Sequence, residues 1–245
     1  MFVRADAWLR WGHLLTPIHT QGNVSIAVPF AAVDLDALLP PPGTQLVQIG
    51  SELDCDLATF GARAAKILVE LLTKSGGRPK TGIVQAVYRD SYVSSPLVAR
   101  LLIDTMKQVF LQTTSAEAAL IIETRPPRAN DLRGDPWQIT HDWRDAADQK
   151  VVIELFGKQR GVHISLLQKY VPHGRYLDID FADGSAATIV LDQGFGAWGS
   201  PRHVTVRFDF GADVATQAKR LATVNAVIQR RGIGKTYLVA TSGKT

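Results

Sequence analysis

Three stretches of the sequence decide its fold class: GIVQAVY at residues 82–88, SPLVARLLIDTMKQVF at residues 95–110 and AALIIE at residues 118–123. The first and third are short apolar runs, typical of buried strands. Ser95 followed by Pro96 is a typical helix start, because serine caps free N–H groups and proline suits the first helical position. The apolar residues that follow recur at helical spacing. A strand, a helix and a second strand in this order indicate an α/β fold.

Predicted helices and strands continue to alternate on both sides of this stretch. The apolar pattern predicts these further elements: a strand at Gln45–Gly50, a helix from Leu57 to the Gly76-Gly77 pair, a helix at Trp143–Phe156, a strand at Gly161–Ser165, a strand at His203–Phe210, an amphipathic helix at Asp213–Arg231 and a last strand at Thr236–Ala240. The fold class that this order predicts is α/β, with a mixed sheet flanked by helices.

A β-hairpin is predicted around the dipeptide Asp183-Gly184, which is typical of a two-residue turn. The flanking runs, Arg175–Phe181 and Ala186–Asp192, both have the composition of strands. A two-residue turn centred on this dipeptide places Arg175 directly opposite Asp192. The two side chains would then form an ion pair across the hairpin.

Length and composition fit a globular protein of one or two domains. The chain has 245 residues, 46% of them hydrophobic and 20% charged, and its one cysteine excludes a disulfide framework. Its formal charge is +4, but residues 200–245 alone carry a net charge of +6. We expect an N-terminal extension with one helix, packed on the core, at residues 1–80, and a core at residues 81–199. Residues 200–245 are expected to form a basic strand-helix-strand unit of the same domain.

Several classes of location and function have no support in the sequence. The first thirty residues hold charged residues and no uninterrupted apolar segment, so we expect no signal peptide. No run of about 18 apolar residues predicts a membrane span, and a single cysteine suits a reducing compartment, so the expected location is the cytoplasm. The six histidines have no metal-ligand spacing and no phosphate-binding loop is complete, so we expect no metal and no cofactor.

His173, Arg175 and Asp180 follow the spacing H-x-R-x4-D and form the most informative motif. Residues two apart on a strand share a face, so His173 and Arg175 can reach one phosphate. Arginine is a bidentate phosphate ligand that stays protonated. The structural alternative is that Arg175 pairs with Asp192 across the hairpin and that Asp180 is a solvated residue.

Four segments occur in an order that is more specific than any one of them. They are Tyr88–Val93 (YRDSYV), Leu120–Thr124 (LIIET), His173-Gly174-Arg175, and the turn Asp183-Gly184 followed by Gly194–Trp198 (GFGAW). Together they resemble the phospholipase-D-like domain of the MIT_C type, the C-terminal domain of MIT-domain proteins. The motif of His173 is also similar to the H-x-K-x4-D pattern of the phospholipase D superfamily. The resemblance covers residues 81–199 and implies a phospholipase-D-like fold in a bacterial relative.

The resemblance also implies a function and a site. Asp90, Tyr92, His173 and Arg175 would form a phosphate-binding pocket. We favour a non-catalytic module that binds nucleic acid or a partner protein, in a bacterial anti-phage defence system with a helicase-like partner. The alternative is a phosphodiesterase or nuclease with His173 and Asp180 as catalytic residues. Because phospholipase D chemistry usually needs two histidine motifs, that enzyme would be a homodimer.

A basic surface is predicted near the C-terminus. Four residues of the expected amphipathic helix are candidate nucleic-acid contacts: Lys219, Arg220, Arg230 and Arg231. Clustered basic charge is the electrostatic footprint of phosphate-backbone binding. The alternative is an ordinary solvated helix face.

Overall fold

The structure, a computed structural model, describes residues 43–127, 143–200, 213–231 and 236–244. The helices in these ranges are α1 (Leu57–Lys74), α2 (Pro96–Gln112), α3 (Ala146–Arg160) and α4 (Val214–Thr223). The strands are β1 (Gln45–Ile49), β2 (Cys55–Asp56), β3 (Ile83–Arg89), β4 (Ala119–Thr124), β5 (His163–Gln168), β6 (Tyr176–Phe181), β7 (Ser185–Leu191), β8 (Trp198–Gly199), β9 (Val227–Arg230) and β10 (Thr236–Lys244). The predicted strand at residues 203–210 and all of residues 1–42 lie outside the described residues.

The main sheet has the strand order β1-β10-β7-β6-β3-β4-β5, and it is mixed. Strands β3, β4 and β5 run parallel, whereas the other neighbouring pairs are antiparallel. A smaller sheet has the order β2-β9-β8. The prediction of an α/β fold with a mixed sheet flanked by helices is confirmed. The sheet takes strands from all three predicted parts of the chain, and the boundaries at residues 80 and 199 stay predictions.

Helix α2 lies at the centre of the helical layer, packed between α1 and α3. It begins where the sequence predicts, since the Ser95 hydroxyl accepts a hydrogen bond from the Val98 N–H at 3.2 Å and Pro96 is the first helical residue. Most of its side chains are buried, which explains its long apolar run. No helix among the described residues has an apolar stretch that could cross a membrane.

The three parallel strands bring their carboxyl ends to one edge of the sheet, which we call the carboxyl edge. Three segments follow these ends: residues 90–95 after β3, residues 125–127 after β4 and residues 169–175 between β5 and β6. Strand β6 starts at this edge, since Tyr176 pairs with Arg89. In α/β sheets this is the edge at which ligands bind.

The predicted hairpin exists, but its predicted register is wrong. Residues 182–184 form a three-residue loop between β6 and β7, in which the Gly184 N–H donates to the Phe181 carbonyl at 3.0 Å. Gly184 has φ +78°, as the last position of such a loop requires. The extra loop residue moves the strand pairing by one position. Arg175 is therefore not directly opposite Asp192, and its guanidinium donates to the Asp192 carbonyl instead of forming the predicted cross-strand ion pair.

The predicted helix at residues 213–231 is too long. Helix α4 ends at Thr223, and the chain continues as extended backbone into β9. There Ile228 pairs with Cys55 of β2, and Arg230 pairs with Trp198 of β8. Pairing with two strands that are distant in sequence prevails over the helical apolar spacing of this segment, because such tertiary contacts override local propensity.

Candidate functional site

The carboxyl edge is built around a buried carboxylate, Asp90. This residue directly follows β3, and its N–H donates to the Glu123 carbonyl of β4 at 3.0 Å. Its Oδ2 accepts a hydrogen bond from the Tyr88 hydroxyl at 2.8 Å, and its Oδ1 accepts one from the Tyr92 N–H at 2.7 Å. Asp90 is fully buried. It is therefore held in one orientation by its own strand and the turn that follows.

Arg175 is the counter-ion of Asp90. Its Nε lies 3.3 Å from Asp90 Oδ1, and its Nη1 donates to the Asp192 carbonyl at 2.6 Å. Burial nevertheless raises the pKa of Asp90, because desolvation outweighs the opposing effect of Arg175 and of the hydrogen bonds. The Arg175 side chain is 21% exposed, so its guanidinium is anchored on its inner side and accessible at the surface.

Tyr92 lies over this ion pair and among cationic and aromatic groups. Its hydroxyl is 2.9 Å from His173 Nδ1, and the two rings stack with centroids 5.9 Å apart. The guanidinium carbon of Arg175 lies 5.1 Å from the centroid of the Tyr92 ring, and that of Arg125 lies 6.0 Å from it. We call Tyr92, Arg125, His173 and Arg175 the edge cluster. Groups of this kind bind anions and stack on planar rings.

The segment of residues 169–175 is attached to both neighbouring turns. The Ser91 hydroxyl donates to the Val171 carbonyl at 2.6 Å, and the Lys169 N–H donates to the Thr124 carbonyl at 2.9 Å. Val171 is buried. These contacts fix the position from which His173 approaches Tyr92.

Gly194 closes the inner side of the site. A Cβ atom at this residue would lie 2.6 Å from Asp90 Oδ2, 2.6 Å from Arg175 Cδ and 2.9 Å from the Tyr88 hydroxyl. Its backbone has φ 60° and ψ −167°, a conformation that is essentially restricted to glycine. The next residue, Phe195, packs edge-on against Tyr88 with centroids 5.6 Å apart. Only glycine permits this close approach.

A second group of charges lies beside the edge cluster, and sequence reasoning missed it. Glu123 Oε2 is 2.9 Å from Arg89 Nε, and its Oε1 is 2.8 Å from Lys169 Nζ. Arg89 also pairs with Asp178. Burial would raise the pKa of Glu123, but the hydrogen bonds and charges of Lys169 and Arg89 prevail and lower it. The sequence signal that could have found this group is position, because Arg89, Glu123 and Lys169 all lie at the carboxyl ends of parallel strands.

The structure brings together the four residues predicted for the phosphate-binding pocket, Asp90, Tyr92, His173 and Arg175, but not Asp180, the second catalytic candidate of the hydrolytic alternative. Asp180 lies on β6 opposite Gln85, which precedes Asp90 by five residues on β3. At about 3.3 Å per residue, Asp180 is roughly 17 Å from the carboxyl edge. Sequence reasoning also missed two contributors that come from other segments, Arg125 and Gly194.

The four predicted basic contacts lie on two different elements. Lys219 and Arg220 are exposed on α4, whereas Arg230 ends β9 and Arg231 follows it. Arg230 lies close enough to Asp192 to interact with its carboxylate, as Arg175 also does. The predicted single helical face therefore does not exist, and nucleic-acid contact by these residues stays a prediction.

Comparison with known families decides the identity of the chain. A family model described as the C-terminal domain of the DEAD/DEAH box helicase YjiV matches residues 43–242. The chain belongs to the YjiV C-terminal domain family. The match contains the whole edge cluster, Asp90 and Gly194, as well as α4 and β9. No curated protein matches the chain.

Membership of the YjiV C-terminal domain family corrects the resemblance proposed from sequence. The assignment to the phospholipase-D-like MIT_C type is wrong, because the matching model is that of the C-terminal domain of the helicase YjiV. The four segments that carried the resemblance are a strand end before a helix, a buried strand, a strand start and a turn. Such segments recur in α/β proteins of different families, so their order misled the assignment.

In this member of the YjiV C-terminal domain family, the described residues contain no group of three or more His, Cys, Asp or Glu side chains arranged to hold a metal ion. What the site offers instead is an oriented arginine, a second arginine, an exposed histidine and a tyrosine ring. These groups suit the recognition of an anion beside an aromatic ring.

Proposed function

We propose that this chain is an accessory domain of a DEAD/DEAH helicase that binds the phosphate backbone of nucleic acid at its carboxyl edge without cleaving it. The observation that carries the proposal is the packing of two guanidinium groups, 5.1 and 6.0 Å from the Tyr92 ring, beside His173. Nucleic acid is the polyanion on which helicases act. Clusters of arginine with aromatic rings are typical of its recognition.

Arg175 is suited to hold a phosphate rather than to act on it. The ion pair of its Nε with Asp90 and the hydrogen bond from its Nη1 to the Asp192 carbonyl position the guanidinium. Its remaining N–H groups are available for a phosphate oxygen, and such charge-assisted hydrogen bonds are among the stronger ones. Arginine stays protonated in proteins, so Arg175 cannot transfer a proton.

One further observation favours binding without catalysis. Asp180, which the hydrolytic alternative required, is roughly 17 Å from the carboxyl edge at about 3.3 Å per strand residue. The homodimeric nuclease and the anti-phage role rested on the phospholipase-D-like resemblance, and neither is part of this proposal.

Lys219 and Arg220 extend the proposal to a secondary contact. Both side chains are exposed on α4, which lies in the helical layer against α3. They would contribute long-range electrostatic attraction rather than the oriented contacts of Arg175. The double change Lys219→Ala with Arg220→Ala should weaken binding at low salt and have little effect at high salt.

The test measures binding of a fluorescein-labelled DNA oligonucleotide to the full chain by anisotropy over a salt series. The key variant is Arg125→Ala, and its matched control is Arg78→Ala, because Arg78 is 65% exposed and pairs with Asp183 at the opposite edge of the sheet. Loss of one phosphate contact should weaken binding about fivefold and reduce the slope of log K against log salt by about 0.7. The control should bind as the unmodified chain does.

Three outcomes would contradict the proposal. They are the absence of salt-dependent binding, equal weakening by the two arginine variants, and metal-independent cleavage of the oligonucleotide that His173→Ala abolishes. The first two would remove the edge cluster as the binding site, and the third would show that the site is catalytic.

A further inference from the structure

A strongly exposed aromatic residue, Tyr170, lies in the same segment between β5 and β6 as His173 and Arg175. Tyr170 is 78% exposed, the highest fraction among the large hydrophobic side chains of the described residues. It follows Lys169, whose N–H donates a hydrogen bond to the Thr124 carbonyl and whose side chain forms an ion pair with Glu123. It precedes Val171, which is buried. The backbone on both sides is therefore fixed, so the exposed ring projects from a defined point on the surface.

Tyr170 is close to Tyr92 because of one hydrogen bond. The Ser91 hydroxyl donates to the Val171 carbonyl at 2.6 Å, and the two tyrosines are the chain neighbours of these bonded residues. With about 3.8 Å between consecutive Cα atoms, the Cα atoms of Tyr92 and Tyr170 are at most roughly 15 Å apart. This separation allows one nucleic-acid strand to reach both the Tyr170 ring and the arginine-lined surface, and we treat the two as one binding area.

We propose that this area selects unpaired nucleic acid, with one base stacked on the Tyr170 ring while the adjoining phosphate lies on the edge cluster. This inference rests on the proposed function and names its substrate class. In a duplex the faces of the bases are covered by their neighbours, so an exposed ring gains nothing there. In a single strand every base offers a face, and stacking on aromatic side chains is largely independent of sequence.

The alternative occupant of a surface with these charges is an acidic peptide. A peptide carboxylate would use Arg125 and Arg175 as a phosphate does. It has no planar base for the Tyr170 ring, whereas a nucleotide uses the ring and the charges together. The combination of an outward ring with two arginines therefore favours the single strand.

The experiment compares three probes on the full chain: a labelled single-stranded 20-mer, the same sequence as a duplex, and a labelled poly-glutamate peptide. The variants are Tyr170→Ala, Tyr170→Phe and the control Leu111→Ala, which removes a side chain that is 58% exposed near the end of α2. Tyr170→Ala should weaken binding of the single strand about 5- to 100-fold, equivalent to about 1–3 kcal/mol. Tyr170→Phe and Leu111→Ala should each stay within about twofold, because the first keeps the stacking ring and the second lies away from the area.

The outcomes separate this inference from the proposed function. If Tyr170→Ala leaves binding of the single strand unchanged while Arg125→Ala weakens it, the stacking inference is wrong and phosphate binding stands. Equal affinity for duplex and single strand would also refute it. If only the peptide binds, both the inference and the proposed function are wrong. Urea unfolding midpoints of the variants check that each one is folded.

Discussion

Replacing Gly194 with alanine should destabilise the fold at the edge cluster far more than the same replacement does at Gly161. Both glycines have positive φ, at 60° and 66° respectively. Gly161 ends α3 in an ordinary left-handed conformation, and a Cβ atom there would have no atom within 4 Å. At Gly194 the Cβ atom would lie 2.6 Å from both Asp90 Oδ2 and Arg175 Cδ.

The expected magnitudes follow from these two environments. The left-handed conformation at Gly161 costs an alanine about 1 kcal/mol. At Gly194 the backbone lies in a region restricted to glycine, which costs about 1–3 kcal/mol, and the crowding of a buried ion pair adds about 1–3 kcal/mol. We therefore expect a loss of about 2–6 kcal/mol at Gly194, with a central value of about 4 kcal/mol. The difference between the two losses in free energy of unfolding measures the crowding and the additional backbone strain at Gly194.

Equilibrium unfolding in urea measures both losses. With a denaturant slope of about 2 kcal/mol per molar, the midpoint should fall by roughly 2 M for Gly194→Ala and by roughly 0.5 M for Gly161→Ala. Both variants carry the same chemical change, so side-chain entropy and helix propensity do not explain the difference. Equal midpoints for the two variants would refute the reasoning, because the loop at Gly194 would then not be packed against Asp90 and Arg175.

Three further predictions concern other parts of the structure. Arg100→Met should lower the free energy of unfolding by about 2–4 kcal/mol, because this buried guanidinium donates to two carbonyls at the end of α4. Hydrogen exchange of the α4 amides measures the effect, and unchanged protection would contradict the prediction. Burial raises the pKa of Asp90 in the folded state. The contribution of Asp90 to the free energy of unfolding should therefore grow as the pH falls through that pKa towards 3.8. Unfolding measured at several pH values should show this gain in the unmodified chain and not in Asp90→Asn. A pH trend of the opposite sign would mean that Arg175 outweighs burial. Ser115→Ala should lower the free energy of unfolding by about 1–3 kcal/mol, because the Ile83 N–H loses the Ser115 hydroxyl that accepts its hydrogen bond at 2.5 Å. A thermal midpoint equal to that of the unmodified chain would contradict this prediction.

Local signals in the sequence located most helices and strands. The dipeptide Ser95-Pro96 and the apolar period after it predicted α2 because capping and burial act within a few residues. Where a distant partner decides the structure, the local pattern failed. The segment after Thr223 has helical apolar spacing, yet it pairs with β2 and β8.

Sequence position likewise explains which of the predicted site residues lie together in the structure. Asp90 and Tyr92 follow one strand, and His173 and Arg175 precede another, so each pair was recognisable by its position. Asp180 was included because of its spacing in the sequence. A strand advances about 3.3 Å per residue and does not fold back, so five residues after Arg175 it lies at the other end of the sheet.

The sequence by itself determined the alternation of helices and strands, the α/β class and the start of α2, because these depend on apolar period, turn residues and caps within short windows. Only the tertiary structure decided which distant segments of the chain meet. Pairing of β3 with β6 brings Arg175 to Asp90, and Gly194 and Arg125 complete the site from two other segments. The hairpin register likewise depended on one loop residue. Contacts between distant segments depend on how the strands pair, and no short stretch of sequence encodes that pairing.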